Sequence, residues 1–106
     1  MSTDVVLCKI AELPDGAVRH FEIMGYDLAA INVGGTFYGL DAMCTYKWAN
    51  LAEGRVDKER MVLVCAACKG SWDIKTGQPV DRPAQFPLTT YAVSAVGDDL
   101  VLSFTY

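Results

Sequence analysis

The middle of the chain reads Cys44-Thr-Tyr46 and, after eighteen further residues, Cys65-Ala-Ala-Cys68. Three of the four cysteines of the sequence lie in these two short motifs. Soft thiolate ligands that converge from two loops are typical of iron–sulfur clusters and of zinc sites. The two motifs therefore predict a metal centre held by two loops.

Glycines, a tryptophan and a threonine-glycine turn surround these motifs. Leu51-Ala-Glu-Gly54 lies between them, and Lys69-Gly-Ser-Trp72-Asp73 and Lys75-Thr-Gly77 follow the second motif. In residue order and spacing the sequence resembles the Rieske-type ferredoxins, whose frame reads C-T-H, L-S-[DE]-G, C-x-x-H and a T-G turn. The resemblance extends to Leu7-Cys-Lys9 and to Asp99-Leu-Val101, and so covers essentially the whole chain. It implies a [2Fe-2S] cluster and an electron carrier, rather than an enzyme, within a redox enzyme system.

The ligand positions depart from the family pattern at two places. In the family two cysteines hold one iron and two histidines hold the other, which raises the reduction potential. Cys44 and Cys65 match the two cysteine positions, so the resemblance assigns them to one iron. Tyr46 and Cys68 stand where the family has its histidines. The ligands of the second iron are therefore altered in this chain.

The two altered positions differ in side-chain reach. A cysteine sulfur lies close to the backbone, as does the histidine nitrogen that binds iron in the family, so Cys68 can replace a histidine with little movement. The oxygen of Tyr46 lies a whole ring beyond its Cβ, and a phenol with an ordinary pKa of about 10 must lose a proton to bind. We expect Cys44, Cys65 and Cys68 to be ligands. Tyr46 is either the fourth ligand or, as we favour, an aromatic side chain that shields the loop.

Length and charge restrict the class of protein. The chain has 106 residues, which suits one domain, and its net charge is −4. This charge argues against binding to nucleic acid or to an anionic membrane surface. It suits a small acidic carrier that docks on basic sites of a reductase and of a terminal oxygenase or another acceptor. No apolar run approaches the ~18 residues of a membrane helix, so we expect a cytoplasmic protein with reduced thiols.

Short apolar runs separated by turn residues predict an antiparallel all-β domain over residues 1–106. Gly34-Gly35 is a strong hairpin signal. The stretch 43–53 is expected to hold a helical turn at most. The resemblance implies a cluster-binding subdomain of two loop-tipped hairpins at about 41–87. The expected strands are Asp4 to Ile10, Val18 to Ile23, Leu28 to Val33, Thr36 to Leu40, Met61 to Cys65, Trp72 to Ile74, Tyr91 to Val96 and Leu100 to Thr105.

The remaining candidate residues have structural interpretations. Cys8 and His20 lie in the first two strands, so we expect a buried core cysteine and a satisfied or exposed strand histidine. Trp48 and Trp72 flank the motifs and either pack or limit the access of water to the metal. The segment 79–87 contains three of the four prolines and matches the loop that covers the cluster in the family.

Three functions are compatible with these features. The first is a single-electron carrier with a [2Fe-2S] cluster. The second is a structural module with zinc or a single iron at the three cysteines. The third is a cluster-less interaction subunit, like the small subunit of some nitrite reductases, although the three thiols at metal-site spacing speak against it.

Overall fold

The computed structural model describes residues 2–43, 50–67, 69–82, 84 and 86–105. These residues form ten strands and two short 3₁₀ turns, with no α-helix among them. Every strand pairing is antiparallel, which confirms the predicted all-β fold class. The strands are β1 (Ser2–Lys9), β2 (Val18–Ile23), β3 (Tyr26–Val33), β4 (Thr36–Asp41), β5 (Arg55–Asp57), β6 (Val62–Val64), β7 (Ser71–Asp73), β8 (Pro79–Asp81), β9 (Thr90–Val96) and β10 (Asp99–Thr105).

The larger sheet has six strands in the order β1-β10-β9-β4-β3-β2. Two-residue turns connect its hairpins. The predicted turn at Gly34-Gly35 joins β3 to β4, with φ angles of 61° and 90°. Positive φ at both central residues gives the twist that a tight hairpin needs, and glycine adopts it without steric cost.

The smaller sheet has four strands of three residues each, in the order β5-β6-β7-β8. Because these strands are so short, more residues of the segment 55–81 lie in the connecting turns than in the strands themselves. The turn between β6 and β7 begins at Cys65 and ends at Gly70. This sheet therefore presents Cys65 at one end.

One hydrophobic cluster joins the two sheets. Ile31 and Leu40 of the larger sheet, Leu63 and Trp72 of the smaller sheet, and Leu51 between the two sheets are all fully buried in this cluster. Burying five large side chains here is the main force that holds the smaller sheet against the larger one, at roughly 1.5–3 kcal/mol for each.

A second cluster lies within the larger sheet and contains Cys8. Its thiol packs with Leu28, Leu100 and Leu102 and is 9% exposed. Burial raises the pKa of the Cys8 thiol. The prediction of a buried core cysteine is confirmed.

The predicted strands are all present, most with boundaries shifted by one or two residues. Two further strands were not predicted. Arg55–Asp57 was missed because three residues carry no readable alternation. Pro79–Asp81, at the start of the segment matched to the family's covering loop, forms β8. Pro79 is tolerated there because it is the first residue of an edge strand.

Candidate metal centre

Cys65 lies at the base of the turn between β6 and β7. Its backbone NH donates to the carbonyl of Gly70 at 2.9 Å, and the NH of Lys69 donates back to the carbonyl of Cys65 at 3.0 Å. Lys69 has a φ of 66°, which a non-glycine residue adopts only where the turn requires it. Cys65 itself is 0% exposed. The turn thus holds a buried thiol at the end of the smaller sheet.

The first motif is bracketed by a second tight connection. Met43 and Asn50 form an antiparallel bridge, and the NH of Leu51 donates to the carbonyl of Ala42 at 2.6 Å. The side chain of Asn50 accepts from the NH of Ala52 at 2.9 Å and starts the 3₁₀ turn Leu51–Glu53. The helical turn predicted within 43–53 is therefore confirmed, at the last three residues of that segment.

Three of the four candidate ligands, Cys44, Tyr46 and Cys68, lie outside the described residues, as do Lys47 and Trp48. Cys65 is the candidate ligand that the structure places. Among the described residues, no three histidine, cysteine or acidic side chains converge as a metal site would require.

Two glycines allow the segments around Cys65 to pack backbone to backbone. A Cβ on Gly54 would overlap the carbonyl oxygen of Val64, the residue before Cys65. A Cβ on Gly70 would lie 2.9 Å from the backbone nitrogen of Ala84. A side chain at either position would push the segments apart, so only glycine fits at these two positions.

Residues 84, 86 and 88 contact the turn of Cys65 or the neighbouring strand β7 and its turn. Ala84 lies in one hydrophobic cluster with Cys65, and the indole NH of Trp72 donates to the carbonyl of Phe86 at 2.9 Å. The NH of Leu88 donates to the carbonyl of Gly77 at 2.8 Å. The cover role of the segment 79–87 stays a prediction, and the contacts show that Trp72 packs against the described end of this segment.

A polar brace that the sequence did not reveal supports the turn from the other side. The carboxylate of Asp81 accepts from the hydroxyl of Ser71 at 2.6 Å and from two guanidinium nitrogens of Arg60 at 2.8 and 3.1 Å. Ser71 is fully buried and directly follows the turn. The hydrogen bonds from Arg60 and Ser71 lower the pKa of Asp81. No sequence motif could have revealed this brace, because its three residues come from β7, β8 and the β5–β6 turn.

Replacing Asp81 with asparagine is expected to lower stability at neutral pH and less so in acid. A carboxyl with a depressed folded pKa stabilises the fold above its unfolded pKa and loses that contribution as the pH falls through the folded value. The difference in urea midpoint between wild type and Asp81→Asn should therefore shrink from pH 7 to below pH 4.

The control for this prediction is Asp98→Asn, which changes an exposed carboxylate in the β9–β10 turn. We expect its midpoint to follow that of the wild type at both pH values. A deficit of Asp81→Asn that is the same at pH 7 and in acid would contradict the prediction.

Asp41, three residues before Cys44, is also held by the larger sheet. The hydroxyl of Tyr91 donates to one carboxylate oxygen at 2.9 Å, and the NH of Thr89 donates to the other at 2.8 Å. Burial and the neighbouring Asp41 raise the pKa of Tyr91 strongly. The strand that leads into the first motif is thus tied to β9.

Elsewhere, the ring of His20 lies 2.8 Å from the carboxylate of Asp27, so the prediction of a satisfied strand histidine is confirmed.

A cavity of about 480 Å³ opens beside Cys65. Residues 53–55 at the start of β5 line it together with residues of the end of β6 and of the β6–β7 turn, so these two parts share one surface. The lining residues are Glu53, Gly54, Arg55, Val64, Cys65, Ala66 and Lys69.

Comparison with known proteins identifies the family. The model of the Rieske [2Fe-2S] domain matches residues 3–92, which include both motifs and the strands around them. The chain belongs to the Rieske [2Fe-2S] domain family. The predicted resemblance is therefore confirmed.

Relatives of this Rieske domain are ferredoxins of oxygenase systems. The 3-phenylpropionate/cinnamic acid dioxygenase ferredoxin subunit of Shigella boydii is 32% identical over 98 residues, which cover 92% of this chain and 91% of that protein. The ferredoxin of carbazole 1,9a-dioxygenase from Nocardioides aromaticivorans has a TM-score of 0.90 at 24% identity, covering 94% and 96% of the two chains, and so shares the fold. A ferredoxin solved in complex with the oxygenase of carbazole 1,9a-dioxygenase has a TM-score of 0.86 at 27% identity, covering 93% and 91%.

These findings support a small electron-transfer protein with a [2Fe-2S] cluster as its cofactor. The donor set of this Rieske chain suits such a cluster at three positions, because cysteine thiolates are ordinary ligands of [2Fe-2S] irons. Cys65, the described member of this set, is fully buried. The chain departs from the family pattern at Cys68, which is still a thiolate donor, and at Tyr46, the fourth position.

No helix among the described residues is long and apolar enough to cross a membrane.

Proposed function

We propose that this protein is the ferredoxin component of an oxygenase-type redox system, with an altered ligand set for its [2Fe-2S] cluster. Cys44 and Cys65 hold one iron and Cys68 holds the other, with Tyr46 at the fourth position. The observation that carries the proposal is Cys65, fully buried in the β6–β7 turn of a Rieske domain. The cysteine-rich set distinguishes this carrier from family members that use two histidines.

The partners follow from the relatives. One relative is named as the ferredoxin subunit of a dioxygenase, and another was solved bound to its oxygenase. We infer that this chain accepts an electron from a reductase and donates it to a terminal oxygenase or a similar acceptor. The thiol chemistry of its ligands suits the reducing cytoplasm, where we place it.

The chain's own residues prepare the site for this task. The bound cluster supplies a one-electron redox couple. Trp72 and Ala84 shield one side of Cys65, because all three pack in one hydrophobic cluster and the buried indole donates to the carbonyl of Phe86. The brace of Asp81, Ser71 and Arg60 holds the start of β7, and hence the turn, in place. A rigid ligand loop reduces the rearrangement that accompanies a change of cluster charge.

Protein purified without air is expected to be brown and to contain iron and acid-labile sulfide in nearly equal amounts. Two irons bridged by two sulfides require this ratio. Visible absorption with iron, zinc and sulfide analysis provides the measurement. Zinc without sulfide would indicate the structural module instead, and the absence of both metals would indicate a cluster-less subunit.

A further inference from the structure

The charges of this chain are divided unequally between its two parts. Residues 47–82, which contain the smaller sheet, carry seven of the nine lysines and arginines but five of the thirteen acidic residues. Their net charge is +2, whereas the rest of the chain carries −6. The part that bears the ligand turn is therefore cationic in a protein whose overall charge is −4.

Ion pairs neutralise two of these cations, but not the two described ones that share a cavity with Cys65. Lys58 pairs with Asp15, and Arg60 pairs with Asp81. Within the part of the chain that the structure describes, Arg55 and Lys69 form no salt bridge. Both are exposed, so their charges face solvent.

Arg55 and Lys69 lie on the same cavity as Cys65. This cavity of about 480 Å³ is lined by these two cations and by one carboxylate, Glu53. The described side chains on its rim therefore carry one net positive charge, which offsets part of the negative charge that thiolate ligands give to a bound cluster. The wall between the rim and the core is formed in part by Cys65, a proposed ligand, so a group seated in the cavity lies next to the redox centre.

We propose that this cavity docks an acidic patch of a redox partner protein, whose carboxylate lies between Arg55 and Lys69. This inference rests on the proposed electron-transfer function and names the charge of the partner surface. The whole-chain charge predicts basic partner sites, but a partner at close range experiences the local charges. At an ionic strength of about 0.1 M the screening length is about 10 Å, far shorter than the 37 Å length of the molecule. The whole molecule is then oriented so that its acidic larger sheet faces away from an acidic partner and the turn of Cys65 faces it.

Small redox reagents test the local charge without a known partner. Ferricyanide takes one electron from the dithionite-reduced protein and becomes ferrocyanide. Between about 0.05 and 0.3 M ionic strength its rate constant should fall as salt rises, because attraction by the rim is screened. Hexaammineruthenium(III), a cation, should show the opposite trend. A ferricyanide rate that rises with salt, as the net charge of −4 requires, would overturn the proposal.

Matched variants locate the effect. The double variant R55Q/K69Q should slow ferricyanide by about threefold at 0.1 M and flatten its salt dependence. K75Q removes a cation from the other end of β7 and should leave the rate unchanged, as should K9Q on the larger sheet. Equal effects of the double variant and of K75Q would show that no local site is formed.

A second readout needs no cluster. Hexaglutamate is incubated with the protein and a water-soluble carbodiimide, which activates a glutamate carboxylate; a nearby lysine amine then forms the amide and the carbodiimide leaves as its urea. Mass spectrometry should find the peptide mainly on Lys69 rather than on Lys75, and R55Q should reduce that product. Equal coupling at both lysines would overturn the cavity as a docking site. Since this arm works on protein without iron, it separates failure of the docking proposal from failure of the proposed function.

Discussion

Replacing Cys65 with serine is expected to abolish the cluster or to weaken it gravely. Cys65 is fully buried in its turn, so the backbone there leaves little room for another donor to take the place of the lost thiolate. A serine hydroxyl is also a poorer ligand than a thiolate, because it holds its proton more strongly. Iron and sulfide content, visible absorption and circular dichroism of anaerobically purified protein measure the loss.

Cys8→Ser is the matched control, since Cys8 is also a buried thiol but lies in the larger sheet, away from the smaller sheet and its turn. Cys8 packs with Leu28, Leu100 and Leu102, in a hydrophobic cluster separate from that of Cys65. This variant should keep its full cluster at some cost in stability. A cluster that survives in Cys65→Ser, or one that is lost in Cys8→Ser, would show that the ligand assignment is wrong.

Cys68→Ser tests the altered position itself. We expect a clear spectral shift or loss of the cluster, because the second iron would exchange a thiolate for a weaker oxygen ligand. An unchanged spectrum would exclude Cys68 as a ligand.

The reduction potential of the cluster is expected to lie far below the family range. Two neutral imidazoles give Rieske clusters potentials of about −150 to +300 mV, whereas all-cysteine plant-type clusters lie near about −400 mV. Thiolate in place of imidazole adds negative charge, which disfavours reduction. The potential should also show no histidine-linked fall at alkaline pH, because neither ligand position holds a histidine whose ring proton could be lost. Protein-film voltammetry from neutral to alkaline pH measures both properties.

The double variant Y46H/C68H is the control for this prediction, because it restores the family ligands in the same fold. Its potential should rise by hundreds of millivolts into the family range and acquire the alkaline dependence. A wild-type potential already in that range, falling with pH as histidine ligation requires, would place the metal site elsewhere in the chain.

Much of the fold could be predicted because its signals are local. The hairpin at Gly34-Gly35 needs positive φ at two adjacent residues, and few sequences other than glycine pairs provide it. The strands of the larger sheet are long enough to show apolar runs. The strands β5 and β8 have three residues each, so their pairing depends on neighbours distant in the chain.

The candidate site also has features that the sequence predicted and features that only the fold revealed. Each of the two cysteine motifs is continuous in sequence, so residue order alone reveals it, and Cys65 lies where a ligand turn requires. The brace of Asp81 with Ser71 and Arg60 was missed, since its members become neighbours only when the smaller sheet folds. The close approach of Gly54 to Val64 was likewise not readable from the chain.

The sequence by itself determined the all-β class, the family and the chemistry of the candidate donors, because these depend on residue type and spacing along the chain. The tertiary structure alone decided which charges surround Cys65. Arg55 and Lys69 are fourteen residues apart, yet they line one cavity because β5 pairs with β6 beside the turn. Electrostatic interactions depend on distance in space, so the net charge of the chain could not reveal a cationic surface next to the proposed redox centre.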